Sequence, residues 1–148
     1  MDNKKIAIGS DHGGFNLKNK IFKFLQENNY EVKDFGTFSA ESVDYPVIAK
    51  EVCSEITNGN FGRGILICGT GLGMSIAANK IKGIRAICCS DTTSAKYSRL
   101  HNDANILCFG ERIIGEELAK DITEIWLNTD FEEGRHKKRV DMFEALKD

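Results

Sequence analysis

The feature that most constrains this chain is a repeated unit: a short apolar run, a turn bearing glycine or aspartate, then residues at helical spacing. Lys5–Gly9 (KIAIG) reads as a buried strand closed by the turn Ser10–Gly14, after which Leu17, Ile21, Phe24 and Leu25 recur with a helical period. Tyr30–Gly36 alternates only partly and suits an edge strand, and Ile48, Val52 and Ile56 mark a second helix ended by Asn58-Gly59. Gly64–Cys68 (GILIC) leads into Gly69–Gly73 (GTGLG) and a short helix through Lys80. Ile84–Ser90 and Asn105–Gly110 supply a fourth and a fifth strand, each followed by a helix. The latter helix carries Ile114, Leu118, Ile122 and Trp126, and a final helix is expected over Glu132–Leu146.

Strands alternating with helices imply an α/β fold with a parallel sheet covered on both faces, because crossovers are right-handed. The expectation is a single domain over residues 1–148, a Rossmann-like three-layer sandwich with strand order 2-1-3-4-5. In that order the topological switch point falls between strands one and three, where ligands bind beyond the carboxyl ends. The loops meeting there are the two most glycine-rich turns, Ser10–Gly14 and Gly69–Gly73.

Composition narrows the class. With 20 Lys+Arg against 22 Asp+Glu the net charge is −2, a poor match for a nucleic-acid binder, which needs a basic excess. No apolar run approaches the ~20 residues of a membrane span, and the opening MDNKK runs into a strand rather than a signal sequence, so a cytoplasmic protein is expected. The five cysteines, at 53, 68, 88, 89 and 108, are odd in number and form no CxxC pair. A disulfide scaffold and a cysteine zinc site are therefore disfavoured, and reduced thiols fit best.

Several residues could carry chemistry. Glycines between a strand and a helix let backbone N–H groups converge on an anion, although Gly69–Gly73 completes neither a dinucleotide fingerprint nor a phosphate loop. Cys68 ends the third strand directly before that loop, where a helix N-terminus favours a thiolate. Cys53, Cys88, Cys89 and Cys108 read instead as small core residues. Of the three histidines, His12 lies in the first glycine-rich turn and His101 follows the helix after strand four. Both are expected where loops gather at the strand carboxyl ends, beside Asp11, Asn102 and Asp103. The third, His136, lies in GRHKKR, a run that reads either as a solvated basic face or, through Arg135 and Arg139 four residues apart, as a phosphate clamp.

The chain resembles the ribose-5-phosphate isomerase type B family, within a superfamily that includes galactose-6-phosphate isomerase subunits. The likeness rests on GSDHGG (9–14), DYP (44–46), ICGTGLGMSIAANK (67–80), GIRA (83–86), SRLHNDAN (98–105), FGERIIG (109–115) and EGRHKKRV (133–140), nearly the whole chain. It implies an aldose–ketose isomerase of the pentose phosphate pathway that uses an enediolate and neither metal nor organic cofactor. By the same resemblance Cys68 is the base at C2, Thr70 assists proton movement, and the Gly69, Gly71, Leu72 and Gly73 stretch holds the enediolate. His101 opens the sugar ring; Asp11, His12 and Asn102, with Tyr45 nearby, contact hydroxyls; Arg112, Arg135 and Arg139 hold the phosphate. A sister subclass has a glutamate base where Met74 stands, so this chain falls with the cysteine subclass. The resemblance also implies a homodimer or dimer of dimers with shared sites, and no membrane or nucleic-acid partner. Allose 6-phosphate and galactose 6-phosphate remain alternative substrates. A sugar-phosphate sensor without turnover is the alternative from another class, and it has no use for Cys68 and His101 together.

Overall fold

A computed structural model describes residues 4–147; Met1–Asn3 of the opening segment and Asp148 lie outside the described residues. The elements run β1 (Lys5–Ser10), α1 (Phe15–Glu27), β2 (Glu31–Asp34), α2 (Tyr45–Thr57), β3 (Arg63–Cys68), α3 (Leu72–Asn79), β4 (Ala86–Cys88), α4 (Thr92–Leu100), β5 (Ile106–Gly110), α5 (Glu116–Leu127) and α6 (Arg135–Glu144). Single 3-10 turns occupy His12–Gly14 and Ala145–Lys147. All strand pairings are parallel, and β2, whose residues alternate between exposed and half-buried, lies at an edge as its partial alternation predicts.

The strand order is 2-1-3-5-4, which corrects the expected 2-1-3-4-5. Length and apolarity explain the exchange. All five residues of β5 (ILCFG) are buried, whereas β4 has only three, the last of them exposed, so the longer apolar strand takes the interior position. The expected fourth strand, Ile84–Ser90, shrinks accordingly. Cys88, read from sequence as a core residue, is exposed because it ends this short edge strand, while Cys89 is buried.

The exchange also decides which face each helix covers. The chain steps outward from β3 to β4 and back inward to β5, so right-handed crossovers put α3 and α4 on opposite faces. On one face Ile6, Ile8, Ile65, Ile67, Leu107 and Phe109 meet Leu17 and Ile21 of α1, Ala95 of α4, and Ile122 and Trp126 of α5. On the other, Ala7, Leu66, Cys68, Ile106 and Cys108 meet Val52 and Cys53 of α2 and Met74 and Ala78 of α3. This division follows the two-residue period of a strand. Each fully buried Ile or Leu contributes roughly 1.5–3 kcal/mol of apolar burial.

The last helix starts at Arg135, three residues later than expected. Glu133 and Gly134 have φ of 63° and 55°, and two left-handed residues in succession cannot extend a right-handed helix. The segment before them is tied instead to the end of α4, where the Glu132 N–H donates to the Leu100 carbonyl at 3.0 Å.

Candidate active site

The carboxyl ends of β1, β3 and β5 carry the first group of candidate residues. The Asp11 carboxylate accepts the N–H groups of Gly13 (2.9 Å) and Gly14 (3.2 Å), folding the first turn, and the Asp11 N–H donates to the Ile67 carbonyl at 3.3 Å. The two glycine-rich loops touch: a Cβ on Gly13 would stand 3.1 Å from the Gly69 nitrogen. One on Gly110 would collide with the Thr70 backbone, so β5 must present a glycine for the loop to lie over it. Gly71 has φ of 81°, which L side chains avoid, and this turn aims its N–H at the Cys68 sulfur at 3.1 Å. The Thr70 hydroxyl accepts the Leu72 N–H at 3.3 Å.

Other members of this group close around the loop. Arg112 is exposed; its N–H donates to the Gly69 carbonyl at 2.9 Å and its side chain lies beside Gly69. The Tyr45 ring sits so close over Gly73 that a Cβ there would be 2.7 Å from Cζ. His12 is exposed, and its Nδ1 accepts the Val43 N–H at 3.2 Å. A hollow of about 230 Å³ opens beside the loop, lined by Thr70, Leu72, Cys88, Cys89, Ser90 and Gly110. Burial pushes the Cys88 thiol up, Cys89 to about 12, and Cys108 well above the usual thiol range. These three remain protonated near neutrality. Cys68, 5% exposed, is the sulfur that receives the backbone N–H.

A second group forms around the carboxyl end of α4. His101 follows Leu100 as its cap and is half-buried, with the Tyr97 ring 4.9 Å away on one side and the His136 ring stacked 4.0 Å away at 12° on the other. His136 is buried, and burial together with the nearby His101 holds its imidazole below the usual range. Asn102 is exposed beside His101. Arg135 and Arg139 are exposed one turn apart on α6, as their spacing predicts. Arg99 fixes the loop in between. Its guanidinium bonds the Asp103 carboxylate (2.8 Å) and the carbonyls of Ala104 (2.6 Å) and Thr129 (3.1 Å).

One chain does not bring these two groups together, which corrects the expectation that His12 and His101 share an edge. Helices run antiparallel to the strands they connect, so the end of α4 lies at the amino edge of the sheet. Cys68 pairs in register with Gly110, the last residue of β5, whereas His101 precedes Ile106, the first. The length of β5, roughly 13 Å at ~3.3 Å per residue, separates the two levels. A cavity of about 550 Å³ also lies at the amino edge, and its Arg85 and Arg99 are committed to Asp103. It is remote from the thiol.

Sequence reasoning missed the partners of His101. Tyr97 carried no signal, and His136 was placed in a basic run without a role. Its spacing of four from the buried Val140 was the available sign that one side of α6 turns inward. Glu132, within 3.9 Å of both imidazoles, falls in the sequence pattern inside the expected final helix and gives no sign of that contact.

Comparison with known proteins agrees with the motif reading. Residues 6–143 match the family model described as Ribose/Galactose Isomerase. The chain is 52% identical over 143 residues to ribose-5-phosphate isomerase B of Escherichia coli, covering 97% of this chain and 96% of that protein. It is 44% identical over 137 residues to a D-erythrulose-4-phosphate isomerase of Pectobacterium atrosepticum, covering 92% and 90%. Among solved structures, Clostridium thermocellum ribose-5-phosphate isomerase B superposes with a TM-score of 0.96 at 54% identity, covering 97% of each chain. A glycine loop over a strand-end cysteine, on a parallel five-stranded sheet matched along nearly its whole length, places this chain in the ribose/galactose isomerase family.

Proposed function

We propose that this chain, acting as one domain in the cytoplasm, interconverts ribose 5-phosphate and ribulose 5-phosphate. The observation that carries the reading is the Gly71 N–H aimed at the Cys68 sulfur, at the switch point where the glycine loop enters α3. A backbone donor holds that sulfur in place beside the loop that meets the developing oxyanion. Two relatives at about half identity support the five-carbon substrate, since both are named ribose-5-phosphate isomerase B. Five free cysteines and the lack, among the described residues, of any helix long and apolar enough to cross a membrane fit this setting.

The proposed chemistry uses side chains and backbone alone. His101 protonates the ring oxygen and accepts the anomeric hydroxyl proton, giving the open aldehyde. Cys68 then takes the proton from C2, and the N–H groups of the Gly69–Gly73 loop receive the negative charge on the enediolate oxygens. Thr70 relays a proton between the two oxygens, and Cys68 returns its proton to C1. A well-placed base contributes about 10²–10⁴-fold and each oxyanion donor about 3–4 kcal/mol. Arg112, Arg135 and Arg139 hold the phosphate, Asp11, His12 and Asn102 the hydroxyls, so remote binding orients the reacting carbons.

The separation of His101 from Cys68 leads to the quaternary part of the proposal: two copies pair so that one supplies Cys68 and the other His101, Asn102, Arg135 and Arg139. Leu72 and Ile76, one turn apart on α3, and Val47 on α2 expose apolar side chains beside the loop, as a homodimer contact requires. The homodimer itself, or a dimer of dimers, is the assembly this calls for.

The test is turnover of ribose 5-phosphate beside D-erythrulose 4-phosphate, allose 6-phosphate and galactose 6-phosphate, with EDTA present. The four-carbon ketose belongs in the panel because a relative at 44% identity is named for it. Ribose 5-phosphate turnover that survives EDTA and falls by about 10²–10⁴ in Cys68→Ala is the expected result. Phosphate-ester binding without turnover of any of the four would establish a sensor instead.

A further inference from the structure

We propose that the cavity at the amino edge of the sheet is a second binding site, for a phosphate group that is free or carried by a small molecule, with the Arg63 guanidinium as its anchor. Arg63 opens β3, is 4% exposed and lines a hollow of about 550 Å³. Its guanidinium lies 5.4 Å over the Trp126 ring and donates to the Trp126 carbonyl at 3.0 Å. Among the described residues it makes no other hydrogen bond and no ion pair. Buried charges are ordinarily paired, because a cation taken out of water and left without an anion is costly. The other two arginines of the cavity obey that rule. Arg99 pairs with Asp103 at 2.8 Å, and Arg85 pairs with Asp103 at 3.3 Å and Glu144 at 3.1 Å. Arg63 is the exception.

The local field suits an anion. Burial and the neighbouring Arg99 both disfavour the charge on Arg63 and hold its pKa to about 10, so the group is still a cation at neutrality. Asp103 and Asp130 attract it without pairing with it. Two guanidinium groups that line one cavity and repel each other are both satisfied by an anion that accepts from each. A carboxylate is filled by one guanidinium fork, whereas the oxygens of a phosphate serve two. The hollow falls within the roughly 300–1,000 Å³ of small-ligand sites, so the organic part of a monoester also has room. Asp130, exposed on the same lining, opposes an anion and makes the binding reversible. The site is independent of the isomerase reading. Arg63 and Cys68 are the first and last residues of β3, so the cavity and the thiol stand at opposite ends of one strand.

Trp126 is the one tryptophan of the chain, and its emission therefore reports on the guanidinium beside it. Inorganic phosphate and glycerol 3-phosphate are titrated separately, with ionic strength held by chloride, into the unsubstituted protein. The same titrations are made on an Arg135→Ala/Arg139→Ala double variant, which lacks the phosphate contacts proposed for catalysis. The expected result is a saturable change in Trp126 emission, one site per chain, with the same midpoint in both proteins. Tighter binding of glycerol 3-phosphate assigns the site to monoesters, and tighter binding of inorganic phosphate assigns it to the free ion. Arg63→Met is expected to weaken binding by about 10–100-fold, the worth of a charged hydrogen bond. Asp130→Asn changes an exposed residue without disturbing the core, and it is expected to tighten binding by about 2–5-fold. A guanidinium that only packs on Trp126 would give neither shift. No saturable change in emission, a midpoint that moves in the double variant, or binding unaltered by Asp130→Asn overturns the proposal.

Discussion

The two edges of the sheet are built differently. At the carboxyl edge the working parts are backbone: Asp11 gathers the amides of Gly13 and Gly14, and the loop over Gly110 turns through Gly71 to aim an amide at Cys68. At the amino edge they are side chains: Arg99 holds the Asp103–Ala104 loop, and His101 stands between the rings of Tyr97 and His136. A Cβ on Gly71 or Gly110 would collide with neighbouring backbone, whereas a side-chain site tolerates loop variation as long as its anchor stays. The difference teaches where each edge is vulnerable: the first at glycines that lie against neighbouring backbone, the second at the arginine that anchors its loop.

Substitutions at the two edges can break that contrast. The largest effect is expected for Gly71→Ala, where a Cβ would stand 2.8 Å from the Phe109 backbone at a φ of 81°. The amide then leaves the sulfur and the loop amides shift from the enediolate oxygens, and kcat for ribose 5-phosphate falls by about 10²–10³, the usual loss for one oxyanion donor. An unchanged kcat would mean that the loop amides are not part of the reaction. Next is Arg99→Met at the amino edge. It strips hydrogen bonds from the Asp103 carboxylate and from two carbonyls, and roughly 2–3 kcal/mol of stability should disappear in urea unfolding. Stability within a few tenths of wild type would show that Arg85, which also pairs with Asp103, carries that loop alone. The smallest is Gly115→Ser. This residue caps α5 with extended backbone at φ −85° and no side-chain bond, and nothing lies within 4 Å of a Cβ there. Only a few tenths of a kcal/mol of added stability is expected. A large loss would contradict the distinction between crowded and uncrowded glycines.

The same contrast explains what could be read from the sequence. Glycines at the carboxyl edge announce themselves, since Gly69–Gly73 between an apolar run and a helix has few other uses, and Cys68 was located at the end of β3. Burial along β1, β3 and β5 was equally legible from unbroken apolar runs. The exchange of β4 and β5 was not, because position in a sheet depends on the relative burial of two strands rather than on either pattern alone. Nor was the edge on which His101 stands. Its polar neighbours Asn102 and Asp103 look the same in sequence at either end of a helix, and only the antiparallel course of α4 settles it. The stacked partner His136 was hidden in a basic run whose other charged residues, Arg135, Lys137, Lys138 and Arg139, are exposed.

The central claim is that one reaction site draws Cys68 from one chain and His101 from another, and mixing two inactive variants tests it directly. Cys68→Ala and His101→Asn proteins are purified apart, unfolded, combined in equal amounts and refolded, and ribose 5-phosphate turnover is measured. In a symmetric dimer with shared sites, each mixed pair regains one site holding both an intact Cys68 and an intact His101, so about one quarter of wild-type turnover returns. Were both residues to act within a single chain, every site in the mixture would lack one of them. Correctly folded mixed dimers without recovered turnover would contradict the account.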